Sequence, residues 1–239
     1  ERQCERWRPS LLRHVALDLE LRLAKKSVSG AATLDFERVS PDETELVLDA
    51  VGFTIERVRI DTGDGWSDAR YEYDGDRIRI VVPARARGGK VLVVYEATPQ
   101  RGMYFLAPDK KVKERPIQVW TQCQDEDARH WFPCHDKPHV KMTTELRVDV
   151  PEGFVVLSNG ELVASERPQG KPWVWHFRMT KPHPSYLVTL VAGRFEVVED
   201  RHAQLRDGTG VPVAYYVPPG REEEARRSFG ETPRMIELF

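Results

Sequence analysis

The sequence predicts an all-β protein, and three observations carry that prediction. Val15, Leu17, Leu19, Leu21 and Leu23 alternate with polar residues, the period-two pattern of a strand buried on one face. Turn signals such as Thr62-Gly63-Asp64-Gly65, Asp74-Gly75 and Gly88-Gly89 separate further runs of this kind. Before residue 220 there is almost no helical periodicity, so about a dozen strands in an antiparallel or mixed arrangement are expected.

Taken in order, residues 32–39, 45–51 and 56–60 continue the alternation. A hairpin follows, with strands at 70–73 and 77–82. Its Asp74-Gly75 suits a tight turn in which both central positions take positive φ. Residues 90–96 form the next strand, and 101–105 lead into a short one. The basic run 110–115 reads as a solvated loop. Strands at 117–120 and 144–150 flank a long connection, residues 121–141. Beyond it come 155–157, a turn at Ser158-Asn159-Gly160, an aromatic-rich strand at 173–177, a strand across 186–198 and a last one at 211–217. The character then changes. Residues 221–227 are rich in Ala, Glu and Arg and favour helix. Pro233 interrupts the segment, so a helix, a turn and a second helical start are expected. Phe229, Met235, Ile236, Leu238 and Phe239 give it an apolar face with no domain in this chain to pack on.

Composition narrows the function. The 239 residues suffice for one large β domain or two small ones. Charge is balanced, 36 basic against 38 acidic side chains for a net of -2, which gives no electrostatic case for nucleic acid or an anionic membrane. No apolar run approaches the roughly 18 residues of a membrane span. The chain starts at Glu1 without a signal-peptide pattern, as a processed chain or a fragment would. Cys4, Cys123 and Cys134 do not make a disulfide framework and point to a reducing, cytoplasmic compartment, with a Cys123–Cys134 bridge left open.

The chemistry concentrates in residues 121–141, TQCQDEDARHWFPCHDKPHVK. This stretch holds two of three cysteines and three of seven histidines. A long connection on a β scaffold is where sites are usually built. None of the histidines is followed by Glu, so the H-E-x-x-H motif of zinc peptidases is absent from this chain. Cys123, Cys134, His135 and His139 can be collected into a metal set, but their spacing fits no established zinc pattern. Neither a catalytic residue nor a metal ligand is expected in this chain. Arg129 and Asp136 are placed to pair across the loop and hold it. Gln122 and Gln124, two apart, point the same way on an extended segment. Their amide oxygens can accept from an ammonium group.

Three motifs in order, TQCQ at 121–124, D-A-R-x-W-F-P-C-x-D-x-P-x-x-K at 127–141 and VPEGFVVLSNGEL at 150–162, resemble the N-terminal domain of the zinc aminopeptidases related to aminopeptidase N. Gln124 is similar to the leukotriene epoxide hydrolase branch, where other relatives more often carry Glu. The resemblance implies a large, twisted, saddle-like β domain over residues 1–220. It implies that residues 221–239 open a thermolysin-like catalytic domain, packed in cis, that carries G-x-M-E-N, H-E-x-x-H and the zinc ligands. It also implies that the loop with Gln122 and Gln124 walls the cleft and that Gln124 helps bind the free α-amino group of a peptide substrate. Two alternatives stay open. One is a non-catalytic β-sandwich binding module that uses residues 121–141, and the other is a family member that has lost its zinc motif.

Overall fold

The structure, a computed structural model, describes residues 10–40, 42, 44–167, 169 and 172–239; Cys4 lies outside them. The strands are β1 (Ser10–Arg22), β2 (Ser27–Arg38), β3 (Glu45–Asp49), β4 (Phe53–Asp61), β5 (Ser67–Asp68), β6 (Tyr71–Tyr73), β7 (Arg77–Val81), β8 (Gly88–Ala97), β9 (Gly102–Leu106) and β10 (Gln118–Gln122). They continue as β11 (Lys141–Val150), β12 (Val155–Ser158), β13 (Glu161–Glu166), β14 (Trp173–Pro184), β15 (Leu190–Gly193), β16 (Glu196–Glu199), β17 (Ala203–Gln204), β18 (Gly210–Val211) and β19 (Ala214–Val217). Two helices close the chain, α1 (Glu222–Phe229) and α2 (Thr232–Leu238). The protein is all-β up to these helices.

Contacts gather the chain into two compact units. The first comprises Glu1–Phe105, Val119–Glu152 and Val156–Ala192. Its main sheet has eight strands in the order β13-β14-β11-β1-β2-β8-β4-β5. The sheet is mixed, because β1 runs parallel to β11 and antiparallel to β2. The alternation in β1 explains the register. Leu17 sits opposite Ala32 on one side and Leu146 on the other, while Leu19 sits opposite Val148. All five are buried on one face. A slip of one residue would turn that face to water. Each of the four larger ones, Leu17, Leu19, Leu146 and Val148, contributes about 1.5–3 kcal/mol. A four-stranded sheet, β12-β15-β10-β9, and a three-stranded one, β3-β7-β6, complete the strand pairing around residues 121–141.

The second unit comprises Leu106–Gln118, Gly153–Val155 and Gly193–Phe239. Val198, Ala203, Val213, Tyr215, Val217 and Ala225 form its core, with Val211 and Ile236 packed against them. This corrects the expectation that the terminal segment has nothing in this chain to pack on, since Ala225 of α1 and Ile236 of α2 both join the core. Phe229, Met235, Leu238 and Phe239 stay 50, 55, 70 and 100% exposed. The helices thus share a unit with strands before residue 220. Pro233 falls in the first turn of α2, where its missing N–H costs nothing.

Other expectations are also corrected. The run 186–198 is not one strand. A 3-10 turn at Ser185–Leu187 precedes β15, and β16 starts separately at Glu196. The 211–217 strand divides into β18 and β19 around Pro212 and Val213. In the β6–β7 turn Gly75 has φ of 96° but Asp74 does not have positive φ. Asp74 Oδ1 instead accepts from the backbone N–H groups of Asp76 and Arg77 at 2.9 and 2.7 Å. β13 went unread because Glu161–Val163 are exposed in succession and show no alternation. Among the described residues no helix is long and apolar enough to cross a membrane.

Candidate functional site

The candidate site is built where β10 ends. Cys123 is buried, whereas Gln122 and Gln124 on either side of it are exposed, so the strand's alternation carries past its last residue. Thr121 Oγ1 accepts from the Leu190 N–H at 2.9 Å and fixes the strand end to β15. The Gln124–Asp125 peptide is cis. The chain then turns, with the Asp127 N–H donating to Cys123 O at 2.9 Å, and enters a 3-10 turn at Ala128–His130.

Side chains below the glutamines tie this loop to the rest of its unit. The structure brings Arg129 and Asp136 together. The Arg129 backbone N–H and Nε both donate to Asp136 Oδ2, at 3.0 and 3.1 Å. Ser185 Oγ donates to Asp136 Oδ1 at 2.6 Å, and the Asp136 N–H donates to Asp49 Oδ2 at 3.0 Å. Glu126 accepts from Arg129 and from Lys137, both at 2.6 Å. Further in, Tyr95 Oη donates to Trp131 O at 2.8 Å, and the Val51 N–H donates to Arg129 O at 2.9 Å. The glutamines therefore stand on a loop pinned to β3, β8 and the 3-10 turn at Ser185–Leu187.

Burial sets the electrostatics. It pushes the Asp136 carboxyl up, while Ser185 and Arg129 pull it back toward the charged form. Burial also works against the Arg129 charge, but Asp49, Asp136 and Glu126 outweigh it and raise the guanidinium above its ordinary value. His130 is held low by burial, against the pull of Asp127. The Cys123 thiol is pushed up to about 12 by burial and stays protonated at neutral pH. Its Sγ accepts from Trp131 Nε1 and donates to Gly102 O, each at 3.3 Å. Gly102 has φ of 77°, and a Cβ there would lie 2.1 Å from Asp127 O. No larger residue fits under the loop at that point.

Cys123 and Cys134 are both buried and neither is in a disulfide, so the bridge left open by the sequence does not form. Cys134 instead exchanges two backbone hydrogen bonds with Asp49, at 2.8 and 3.1 Å. Among the described residues no group of three or more His, Cys, Asp or Glu side chains could hold a metal ion. The set Cys123, Cys134, His135 and His139 is therefore not gathered into such a group. These residues do not fit a zinc ion.

Sequence reasoning missed Asp49, Tyr95, Gly102 and Ser185. Asp49 follows Leu48 in β3, where alternation points it outward, and Ser185 lay one residue before a supposed strand at 186–198. A further feature went unread. Tyr104 and Trp120 stack at 4.5 Å, both half-buried, and Trp120 lies two residues before Gln122 on the same face of β10.

Residues 12–187 match the family described as the peptidase M1 N-terminal domain. The chain is 30% identical over 189 residues to leucine aminopeptidase 2 of Neurospora crassa, covering 76% of this chain and 28% of that protein. It is 28% identical over 195 residues to a leukotriene A-4 hydrolase homolog of Botryotinia fuckeliana, covering 76% of this chain and 30% of that protein. It thus spans less than a third of these two relatives. Its fold is similar to that of an M1 zinc metallopeptidase from Deinococcus radiodurans solved with the substrate Tyr-Ser-Ala. The TM-score is 0.74 at 22% identity, over 96% of this chain and 53% of that one. With the family match spanning most of the described strands, the chain belongs to the peptidase M1 N-terminal domain family.

Proposed function

We propose that this chain is the N-terminal, non-catalytic part of a zinc aminopeptidase that removes N-terminal residues from peptides, and that it walls the active-site cleft. In this reading Gln124, with Gln122 beside it, accepts a hydrogen bond from the α-amino group of the substrate. The observation that carries the reading is the pair of exposed glutamines on either side of buried Cys123, on a loop held by the Arg129–Asp136 pair. The relative solved with Tyr-Ser-Ala supports it, since a tripeptide presents a free amino terminus. Zinc, the Lewis acid of the reaction, would be held by a catalytic domain in cis that residues 221–239 begin. Two buried, unbridged cysteines suit a reducing, cytoplasmic location.

The test uses the full-length enzyme. A hydrogen bond to a charged group contributes about 1.5–3 kcal/mol. Gln124→Ala should therefore lower kcat/KM for aminoacyl substrates about 10- to 150-fold. Gln124→Glu should restore or exceed the parent activity, because it sets a charge opposite the ammonium. A substrate with an acylated amino group should be nearly indifferent to Gln124→Ala. Equal losses on free and acylated substrates would show that Gln124 only braces the loop.

A further inference from the structure

We propose that a groove between the end of β2 and the turn before β8 binds a small organic phosphate. The groove holds about 480 Å³ and is lined by Glu37, Arg38, Val39, Ala84, Arg85, Ala86 and Arg87. Three of these residues are arginines, and they do different things. Arg38 builds the wall. Its guanidinium donates to Ala84 O at 2.7 Å, Pro83 O at 3.1 Å and Val82 O at 3.3 Å. Its backbone N–H donates to Arg87 O at 2.8 Å, and the Ala86 N–H closes the turn onto Pro83 O at 2.9 Å. The turn is therefore bolted to β2 and holds its shape without a ligand.

Arg85 and Arg87 are both exposed, and neither forms an ion pair among the described residues. Among the described lining residues the one carboxylate, Glu37, is already taken by Arg13, whose Nε and a terminal nitrogen approach it at 2.8 and 2.7 Å. Two arginines thus line a shaped groove, and among the described lining residues no carboxylate is left to neutralise them. A guanidinium presents parallel N–H donors that match phosphate oxygens, and it stays charged at any physiological pH. The volume lies within the roughly 300–1,000 Å³ of small-molecule sites, so a bare phosphate ion would leave most of it unfilled. Val39, Ala84 and Ala86 supply apolar lining for the remainder. The ligand chemistry is a phosphate monoester with a compact organic body. This site shares no residue with the glutamine loop and does not depend on the peptidase reading.

The test is calorimetric titration of the chain at low salt with glycerol phosphate, inorganic phosphate and succinate in parallel. Glycerol phosphate should bind more tightly than the other two, and added sodium chloride should weaken it. Arg85→Ala with Arg87→Ala should weaken binding about tenfold or more, each lost charge-assisted bond accounting for part. The double variant should keep the parent's melting temperature, because both side chains are exposed and Arg38 is untouched. Absent binding, or binding indifferent to the double substitution, would overturn the site. Succinate binding as tightly would overturn the phosphate assignment, and inorganic phosphate binding as tightly would overturn the organic one.

Discussion

Replacing Asp136 with Ala tests whether the Arg129–Asp136 pair holds the glutamine loop. Asp136 is 0% exposed and accepts three hydrogen bonds, from Ser185 Oγ at 2.6 Å and from the Arg129 N–H and Nε at 3.0 and 3.1 Å. Alanine orphans all three donors at once. Removing one partner of a buried ion pair costs about 3–5 kcal/mol. The Arg129 side chain is 22% exposed and keeps Glu126 at 2.6 Å, so the loss should sit near the lower bound, about 3 kcal/mol. At about 2–4 °C per kcal/mol for a chain of this size, Asp136→Ala should lower the melting temperature by about 6–12 °C. Asp136→Asn keeps one acceptor oxygen, for Ser185 or for Arg129, and sets an NH2 donor in place of the other, so it should cost less than Ala but more than the charge alone. Ser185→Ala in the Asp136→Ala background should add less than it costs alone, since the two share a hydrogen bond. Differential scanning calorimetry on the four variants and the parent measures all of this. A shift for Asp136→Ala no larger than a surface substitution gives, about 0.5 kcal/mol, would refute the claim that this carboxylate holds the loop.

Glu237 of α2 is held down to about 2 by the Arg201 guanidinium and by the Gln204 backbone N–H. A depressed carboxylate lends stability that is fully present above its unfolded value, ordinarily 4.5, and is lost as pH falls through about 2. The Gln204 amide resonance should therefore shift over that window in the parent and stay flat in Glu237→Gln; a parent without the step would show that α2 is not anchored there. Truncation after Gly220 removes Ala225 and Ile236 from the core around Val198, Val213 and Val217, and takes Phe229 O from Tyr215 Oη. Limited proteolysis should then cut within residues 193–220 much faster than in the full chain, and an unchanged rate would mean that these strands fold without the helices.

The fold was legible wherever one face of a strand is buried and the other wet. In β1, β2, β8 and β11 that condition holds along most of the strand; alternation placed all four strands and in β1 named the inward residues, Val15, Leu17, Leu19 and Leu21. It failed where the condition lapses. β13 lies at the sheet edge with Glu161, Leu162 and Val163 all exposed, so no period was present to detect. Residues 186–198 kept enough apolar residues to imitate one strand, but the 3-10 turn is set from outside. Ser185 Oγ is claimed by Asp136, and the sequence separation of 49 residues puts that partner beyond any local pattern.

The candidate site was read in a different way, from residue type, short spacing and the motif resemblance. Gln122 and Gln124 stood out because, two apart on an extended segment, they point the same way and sit in a motif that resembles the aminopeptidases, and Arg129 and Asp136 because opposite charges sat seven residues apart in a loop. The partners that complete the frame carry no such signal. Asp49 is 87 residues from the Asp136 N–H it accepts from, and Tyr95 is 36 residues from the Trp131 carbonyl it donates to. Each is an ordinary strand residue until the sheets bring it under the loop. The division follows from what each group must do. Groups that face solvent need only the right chemistry at a short spacing, which a sequence displays. Groups that satisfy buried polar atoms must match donor to acceptor within about 3 Å, and only the assembled sheets set that geometry. The residues proposed for the loop's chemistry could therefore be picked from 121–141, while the frame that holds the loop depends on β3, β8, Gly102 and Ser185.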